Sequence, residues 1–174
     1  PDGKIAREWS VIDLLCKNGR EGMLYLGSNQ SRYPVIHGDI FHLNDAEPFP
    51  AARMKEGFFR KGDVLVSLRN ISTIFVFNRE TDEIKYIHTG SFVRQHDPEF
   101  LDGDTISVFD NHTVGPGEAP NAQSRILILS ARNNTVKTYY QGTPENGFYT
   151  AIMGKHQWLP NGNLLITQSC YGRA

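Results

Sequence analysis

Short runs in which apolar and polar residues alternate, or nearly alternate, recur along the chain: VLVSLR (64–69), TIFVFN (73–78), EIKYIH (83–88), TISVFD (105–110), RILILS (125–130), TVKTYY (135–140) and NLLITQ (163–168). A period of two, carried by Val, Ile, Phe, Tyr and Thr, marks half-buried β-strands. The runs are cut by sharp turns at Lys61-Gly62-Asp63, Asp102-Gly103-Asp104 and Pro160-Asn161-Gly162-Asn163, whose residue types tolerate positive φ or bond their own backbone. One helix is predicted over Ser10–Lys17, with Ser10 as N-cap, Asp13 in the first turn and Gly19 as the stop.

Aligned on its turns, the chain repeats. One unit runs from His42 through FFRKGDVLVSLRN and STIFVFN to DEIKYIHTG. The next runs from His96 through EFLDGDTISVFDN and SRILILSA to TVKTYYQG, and a third opens at His156 with QWLPNGNLLITQS. Each full unit holds four strands, so the expected fold is all-β: a β-propeller of four-stranded antiparallel blades, with only a partial set of blades present. A β-sandwich also makes many short strands, but it gives no reason for each unit to restart at a histidine. The expected organisation is the last strand of one blade over 1–10, a helix and loop over 11–36, blades over 37–90 and 91–154, and the start of a further blade over 155–174. AEPFPAARMKEG (46–57) reads as an insertion. Since a propeller closes with about 4–8 blades, the remaining blades of a longer chain are the expected partner, and the opening on PDGK without Met or signal peptide reads as a piece of that chain.

Composition narrows the partners. With 174 residues and 39% apolar content the chain can build the core of one domain. Net charge is −1, from 18 basic and 19 acidic residues that are well mixed, which argues against a nucleic-acid surface. No apolar run reaches the ~18 residues of a membrane helix. Cys16 and Cys170 stand far apart in sequence; they either pair or are two buried thiols, and they leave the redox compartment open.

In a blade the first strand lines the channel and the second returns beside it, so the ends of that hairpin away from its turn lie together. His96 is then expected to face Asp110, Asn111 and His112. His156 is expected to face Thr167 and Gln168, with Arg173 just beyond, and His42 to stand level with Arg69 and Asn70. Radial repetition gathers His42, His96 and His156 at one end of the channel, with Arg69, Asn70, Asn111 and Arg173 around them as substrate-binding candidates. The competing reading is structural: a histidine at a strand start commonly satisfies backbone groups, and repeats reuse structural residues. His37 and His88 are read as structural and His112 as either. Arg69 is a channel cation or an inter-blade ion-pair partner. Asp45, Glu47, Asp97 and Glu99 are read as turn and hydrogen-bond partners of the histidines they follow.

These residues carry a resemblance. HLNDAEPF, GDVLVSLRNISTIFVFNRETDEI, RQHDPEFLDGDTISVFDN, SRILIL and KHQWLPNGNLLITQSCYGR, spread over most of residues 37–174, resemble the arylsulfotransferase family, the PAPS-independent sulfotransferases. The resemblance implies a six-bladed propeller that moves a sulfuryl group from an aryl sulfate donor to a phenolic acceptor through a sulfated histidine. It implies no metal and no cofactor; location stays open, with the resemblance leaning towards a secreted or periplasmic protein. Carried over residue by residue, it makes His42, His96 and His156 the site histidines and Arg69 the sulfate-binding cation, with Arg173 a second candidate. It does not say which histidine is the nucleophile. The short-loop disulfide of bacterial members is not supplied by Cys16 and Cys170.

The chemistry suits such a set. A neutral imidazole is a good nucleophile near pH 7. A guanidinium fork and imidazole donors stabilise charge on sulfuryl oxygens, and a second imidazole can protonate a leaving phenolate. Two other classes compete. Three histidines around a channel can hold Zn²⁺ with an open position, as in amidating lyases, or the propeller is a non-catalytic binding scaffold. GPGEAPNAQS (115–124) is a polar linker without the strand–helix context of a phosphate loop, and no GxSxG element is present.

Overall fold

The computed structural model describes residues 3–27, 38–114 and 123–174. Strands β1 (Leu43–Pro48), β2 (Asp63–Leu68), β3 (Thr73–Asn78) and β4 (Ile84–Thr89) form one antiparallel sheet in the order of the chain. Strands β5 (His96–Phe100), β6 (Thr105–Asp110), β7 (Arg125–Ser130) and β8 (Thr135–Gln141) form a second sheet in the same order. Strands β9 (Lys155–Trp158) and β10 (Leu164–Thr167) pair as a hairpin, extended by a bridge between Gln168 and Arg173. The fold is mostly β, built from antiparallel sheets. No described helix is long and apolar enough to cross a membrane.

Alternation along each strand supplies two apolar faces, and both are used. Leu65, Ile74 and Val76 of the first sheet meet Ile106, Val108, Leu127 and Leu129 of the second in a core closed by Phe49, Phe59, Phe92 and Phe100. The opposite face of the first sheet, with Val66, Leu68, Phe75 and Phe77, packs on Leu14 and Leu15 of helix α1 (Val11–Lys17). The opposite face of the second sheet packs Phe109 and Ile126, with Phe148, against Leu164 and Ile166 of β10. The layers are therefore helix, sheet, sheet, hairpin. Each fully buried side chain of this size contributes about 1.5–3 kcal/mol.

Helix α1 forms where its signals place it. Ser10 accepts the Asp13 N–H at 3.2 Å, and Gly19 has φ of 64°. Asn18 at its end pins it to the first sheet: Nδ2 donates to Asp82 O at 2.9 Å and Oδ1 accepts the Ile84 N–H at 2.9 Å. Residues 3–10, expected as a strand, belong to no strand. Their side chains make the connection instead. Arg7 and Trp9 donate to Asp82 Oδ1 at 2.7 and 3.1 Å, and Lys17 reaches Asp82 Oδ2 at 3.0 Å.

The expected insertion over 46–57 is shifted. Ala46–Pro48 complete β1, paired with Val66, Leu65 and Val64, so the long connection to β2 begins at Phe49. That connection buries Phe59 completely and clamps the β5–β6 turn: Phe59 N–H donates to Gly103 O at 2.6 Å and Phe58 N–H to Asp104 Oδ1 at 2.8 Å. A Cβ on Gly103 would lie 2.3 Å from Gly57 N, so both backbones need the missing side chain. Cys16 and Cys170 are exposed and joined by no disulfide, contrary to either expectation for them. His37 and most of the linker at 115–124 lie outside the described residues.

Candidate functional site

The β5–β6 pairing sets His96 opposite Phe109, which brings its ring to Asn111 just past the end of β6. His96 Nδ1 lies 2.7 Å from Asn111 Oδ1. The Asn111 amide has one orientation, because its Nδ2 donates to Thr150 O at 2.9 Å and Met153 O at 2.7 Å. Oδ1 can only accept, so the hydrogen-bond network assigns the His96 proton to Nδ1 and leaves the Nε2 lone pair open. Burial lowers the His96 pKa. Asn111 and the Arg94 carbonyl oppose this, while Arg69 and His42 push it further down, and the net result is a ring biased towards the neutral form.

His42 is level with Arg69 and Asn70, as the hairpin argument requires: Arg69 N–H donates to His42 O at 3.1 Å and Asn70 N–H to Phe41 O at 2.9 Å. His42 has φ of 49° and is held by Asp39, which accepts its backbone N–H at 2.7 Å and faces its Nδ1 at 2.5 Å. That contact holds the Asp39 carboxyl below its ordinary range. Asn70 Nδ2 donates to Asp39 O at 2.8 Å, and Asn70 Oδ1 accepts from Arg69 Nη1 at 3.3 Å. Among the described residues no carboxylate stands within ion-pair distance of Arg69, and its buried Nε has no hydrogen-bond partner. Burial and the nearby Arg94 lower its pKa, yet a guanidinium stays charged. Among the described residues this is a cation with an unspent Nε donor near the two imidazoles.

His156 lies elsewhere. Counting outward from the turn pairs Phe100–Ile106 and Trp158–Leu164, the place taken by His96 opposite Phe109 is taken by Lys155 opposite Thr167. The bulge at Asp97 and Pro98 gives β5 one residue that β9 lacks, and a one-residue slip turns a side chain to the other face. His156 therefore points into the layer between the second sheet and the hairpin, 1% exposed, with Nε2 2.8 Å from Ser107 Oγ. Its backbone N–H donates to Asp97 Oδ2 at 2.6 Å. Its Nδ1 is 3.1 Å from the same oxygen, within ion-pair range but without hydrogen-bond alignment. Arg173 follows β10, bridged to Gln168, with its guanidinium 5.5 Å over the Tyr171 ring. The structure thus brings His42, His96, Arg69, Asn70 and Asn111 to neighbouring strand ends and sets His156 and Arg173 apart from them.

Two residues of this region carried no sequence argument. Asp39, three residues before His42, has the spacing of a side chain that bonds forward to backbone. Arg94 has no signal beyond its charge. Backbone strain also marks the region: His42, Ser72, Arg94, Asp97 and His112 all have positive φ, between 47° and 57°. Each such non-glycine residue costs about 1–2 kcal/mol and persists only where its surroundings hold it. His112 donates from Nδ1 to Gln123 O at 3.2 Å, and His88 Nε2 is 2.7 Å from Ser91 Oγ, so both satisfy local partners.

Further along the same strands, Asp45 and Glu47 of β1 meet Asp97 and Glu99 of β5. Burial, then Glu99 and Asp45, push Glu47 up to about 7. Burial also raises Asp45 and Glu99. Burial would raise Asp97 too, but its hydrogen bonds from His156 and Lys155 outweigh that and hold it low. Among the described residues no group of three or more His, Cys, Asp or Glu is arranged to hold a metal ion.

Comparison with protein-family models gives a match over residues 1–174 to the model described as Arylsulfotransferase (ASST). No curated protein matches the chain.

Proposed function

Because the chain belongs to the arylsulfotransferase family, we propose that it moves a sulfuryl group from an aryl sulfate ester to a phenol through a sulfated His96. The observation that carries this reading is the His96–Asn111 hydrogen bond, which leaves Nε2 as an open nucleophile on a ring biased to neutrality. In the first half-reaction Nε2 attacks sulfur and the bond from sulfur to the phenolic oxygen breaks. His42, oriented by Asp39, gives the leaving phenolate its proton. Arg69, with Asn70 beside it, takes the charge that builds on the sulfuryl oxygens. In the second half-reaction His42 accepts the proton of the incoming phenol, its oxygen attacks sulfur, and the N–S bond breaks to restore the His96 lone pair.

The proposal extends to architecture. The two sheets and the hairpin are read as successive blades of a propeller, over 37–90, 91–154 and from 155 onward, with β1, β5 and β9 lining the channel. Support comes from the strand order, from the face-to-face layers, and from the contacts of β1 with β5 and of β5 with β9, which make the first strands of successive sheets neighbours. The remaining blades would come from the rest of a longer chain.

The test is to incubate the intact protein with an aryl sulfate and no acceptor, then to follow its mass and map the modified peptide. One added sulfuryl group on His96, absent in His96→Asn, is the expected result. A protein that turns over the donor without ever gaining mass, or gains it on another residue, overturns the assignment of His96.

A further inference from the structure

We propose that Asp97, clamped by Lys155 and His156 of the third sheet, is a positioning residue for His96. This rests on the reading of His96 as the residue that takes the sulfuryl group. Asp97 directly follows His96 in the β5 bulge and has φ of 47°. It also precedes Pro98, which restricts the backbone of the residue before it. A strained residue beside a reacting group holds its shape only if its neighbours overdetermine it.

Here the neighbours come from across the interface. Asp97 Oδ1 pairs with Lys155 Nζ at 2.5 Å, and Oδ2 accepts the His156 N–H at 2.6 Å with the ring Nδ1 3.1 Å away. His156 is fixed in turn by Ser107 Oγ at 2.8 Å, and the same oxygen accepts the Trp158 Nε1–H at 3.2 Å. Ser107 lies on β6 two residues before Phe109, the partner of His96. The contacts therefore close a loop from β6 through β9 and back to the bulge of β5. Ser107, His156 and Asp97 have the composition of a hydrolytic triad, but Ser107 is 0% exposed and its oxygen is already occupied. The run is a clamp.

His96 is then anchored twice, once through the third sheet and once through the segment that leads into it. Its ring is set by Asn111, which is tied to Thr150 and Met153 in the segment leading into β9. Its backbone is set by Asp97, which is tied to Lys155 and His156 of β9 itself. A nucleophile misplaced by about 1 Å loses on the order of a hundredfold in rate. The third sheet thus governs the chemistry without giving any atom to the substrate.

The experiment uses the intact protein with Asp97→Ala, His156→Leu and His156→Asn, the last placing an amide where the ring Nδ1 stands 3.1 Å from Asp97 Oδ2, while both His156 variants keep the backbone N–H towards Asp97. Leu129→Ala, in the core between the first two sheets, serves as a control of comparable thermal destabilisation. The rate constant for sulfation, KM for the aryl sulfate, and the ¹⁵N shifts of the His96 ring are measured. Asp97→Ala and His156→Leu are expected to slow sulfation at least tenfold with KM changed less than threefold, and to replace the single Nδ1–H tautomer of His96 by a mixture. His156→Asn is expected to recover to within threefold of the parent rate, and Leu129→Ala to keep it. A folded His156→Leu protein with the parent rate and tautomer overturns the proposal, as does an equal loss in Leu129→Ala. If the parent protein takes no sulfuryl group, the sulfation reading fails by itself. The tautomer of His96 in His156→Leu then decides the positioning role, upholding it if it changes and refuting it if it does not.

Discussion

His96 and Asn111 are joined by a 2.7 Å contact in which the asparagine can only accept, since both hydrogens of its amide are spent on the carbonyls of Thr150 and Met153. The tautomer of His96 is thereby set by a side chain that is itself wholly buried.

Asn111→Asp places a carboxylate where a neutral acceptor stood. An anion beside the ring favours the imidazolium, which has no lone pair at Nε2. The acidic limb of the kcat/KM profile for aryl sulfate turnover should move upward by about one unit or more, with activity at neutral pH falling accordingly. A profile that does not move would mean that His96 is not the group titrating in that limb.

Arg69 should contribute mainly to the step in which sulfur is transferred. Arg69→Ala is expected to lower the single-turnover rate of sulfation on the order of 10²-fold, and Arg69→Lys to recover only part of it, because an ammonium lacks the planar fork. Arg94→Ala, removing an exposed neighbour, is expected to cost less than Arg69→Ala. Rapid-quench mass analysis of the protein after mixing with donor reads all three.

Glu47 should give the fold an unusual pH dependence. Its pKa rises from 4.5 in the unfolded chain to about 7 in the folded protein. Between those values the folded state holds more protons than the unfolded one, so this group's contribution to stability falls as pH rises through the window and levels off above it. Glu47→Gln should remove the dependence. The melting temperature of the parent minus that of the variant is expected to be higher at pH 5 than at pH 8; a difference that is flat with pH would rule out a proton on Glu47.

Gly103→Ala tests the clamp between the long β1–β2 connection and the second sheet. Gly103 has an ordinary backbone conformation, and its added Cβ would fall 2.3 Å from Gly57 N. The expected cost is about 1–3 kcal/mol of unfolding free energy, as for other overpacked sites, measured by urea denaturation. The rate of His96 sulfation per folded molecule is expected to hold.

Where apolar residues supplied both faces of a strand, the sequence was readable. β3, β6 and β7 begin and end where their alternation does, because a core lies against them on both sides. The meeting of His96 with Asn111, and of His42 with Arg69 and Asn70, followed from hairpin geometry alone. The first strands were harder. LNDAEP and HDPEF carry Asp, Glu and Pro because one side of each is polar, so Ala46–Pro48 read as insertion. The bulge at Asp97 and Pro98 changes nothing in a repeat count anchored on histidines, yet it sets the face that His96 presents, a face that His156 on the regular β9 does not share. Asp39 and Arg94 act from loops, where no periodicity points.

The convergence of Arg7, Trp9 and Lys17 on one carboxylate, Asp82, gives the amino-terminal arm a shared ionic mooring. Those donors, the Lys17 hydrogen bond foremost, keep Asp82 titrating below its usual range. The mooring therefore holds at neutral pH and is lost only as acidity passes that lowered value. In strong acid the contacts on Asp82 should be lost together, while Arg7 keeps its bond to the Arg79 carbonyl, Trp9 stays on Phe77, and Leu14 and Leu15 still grip the first sheet.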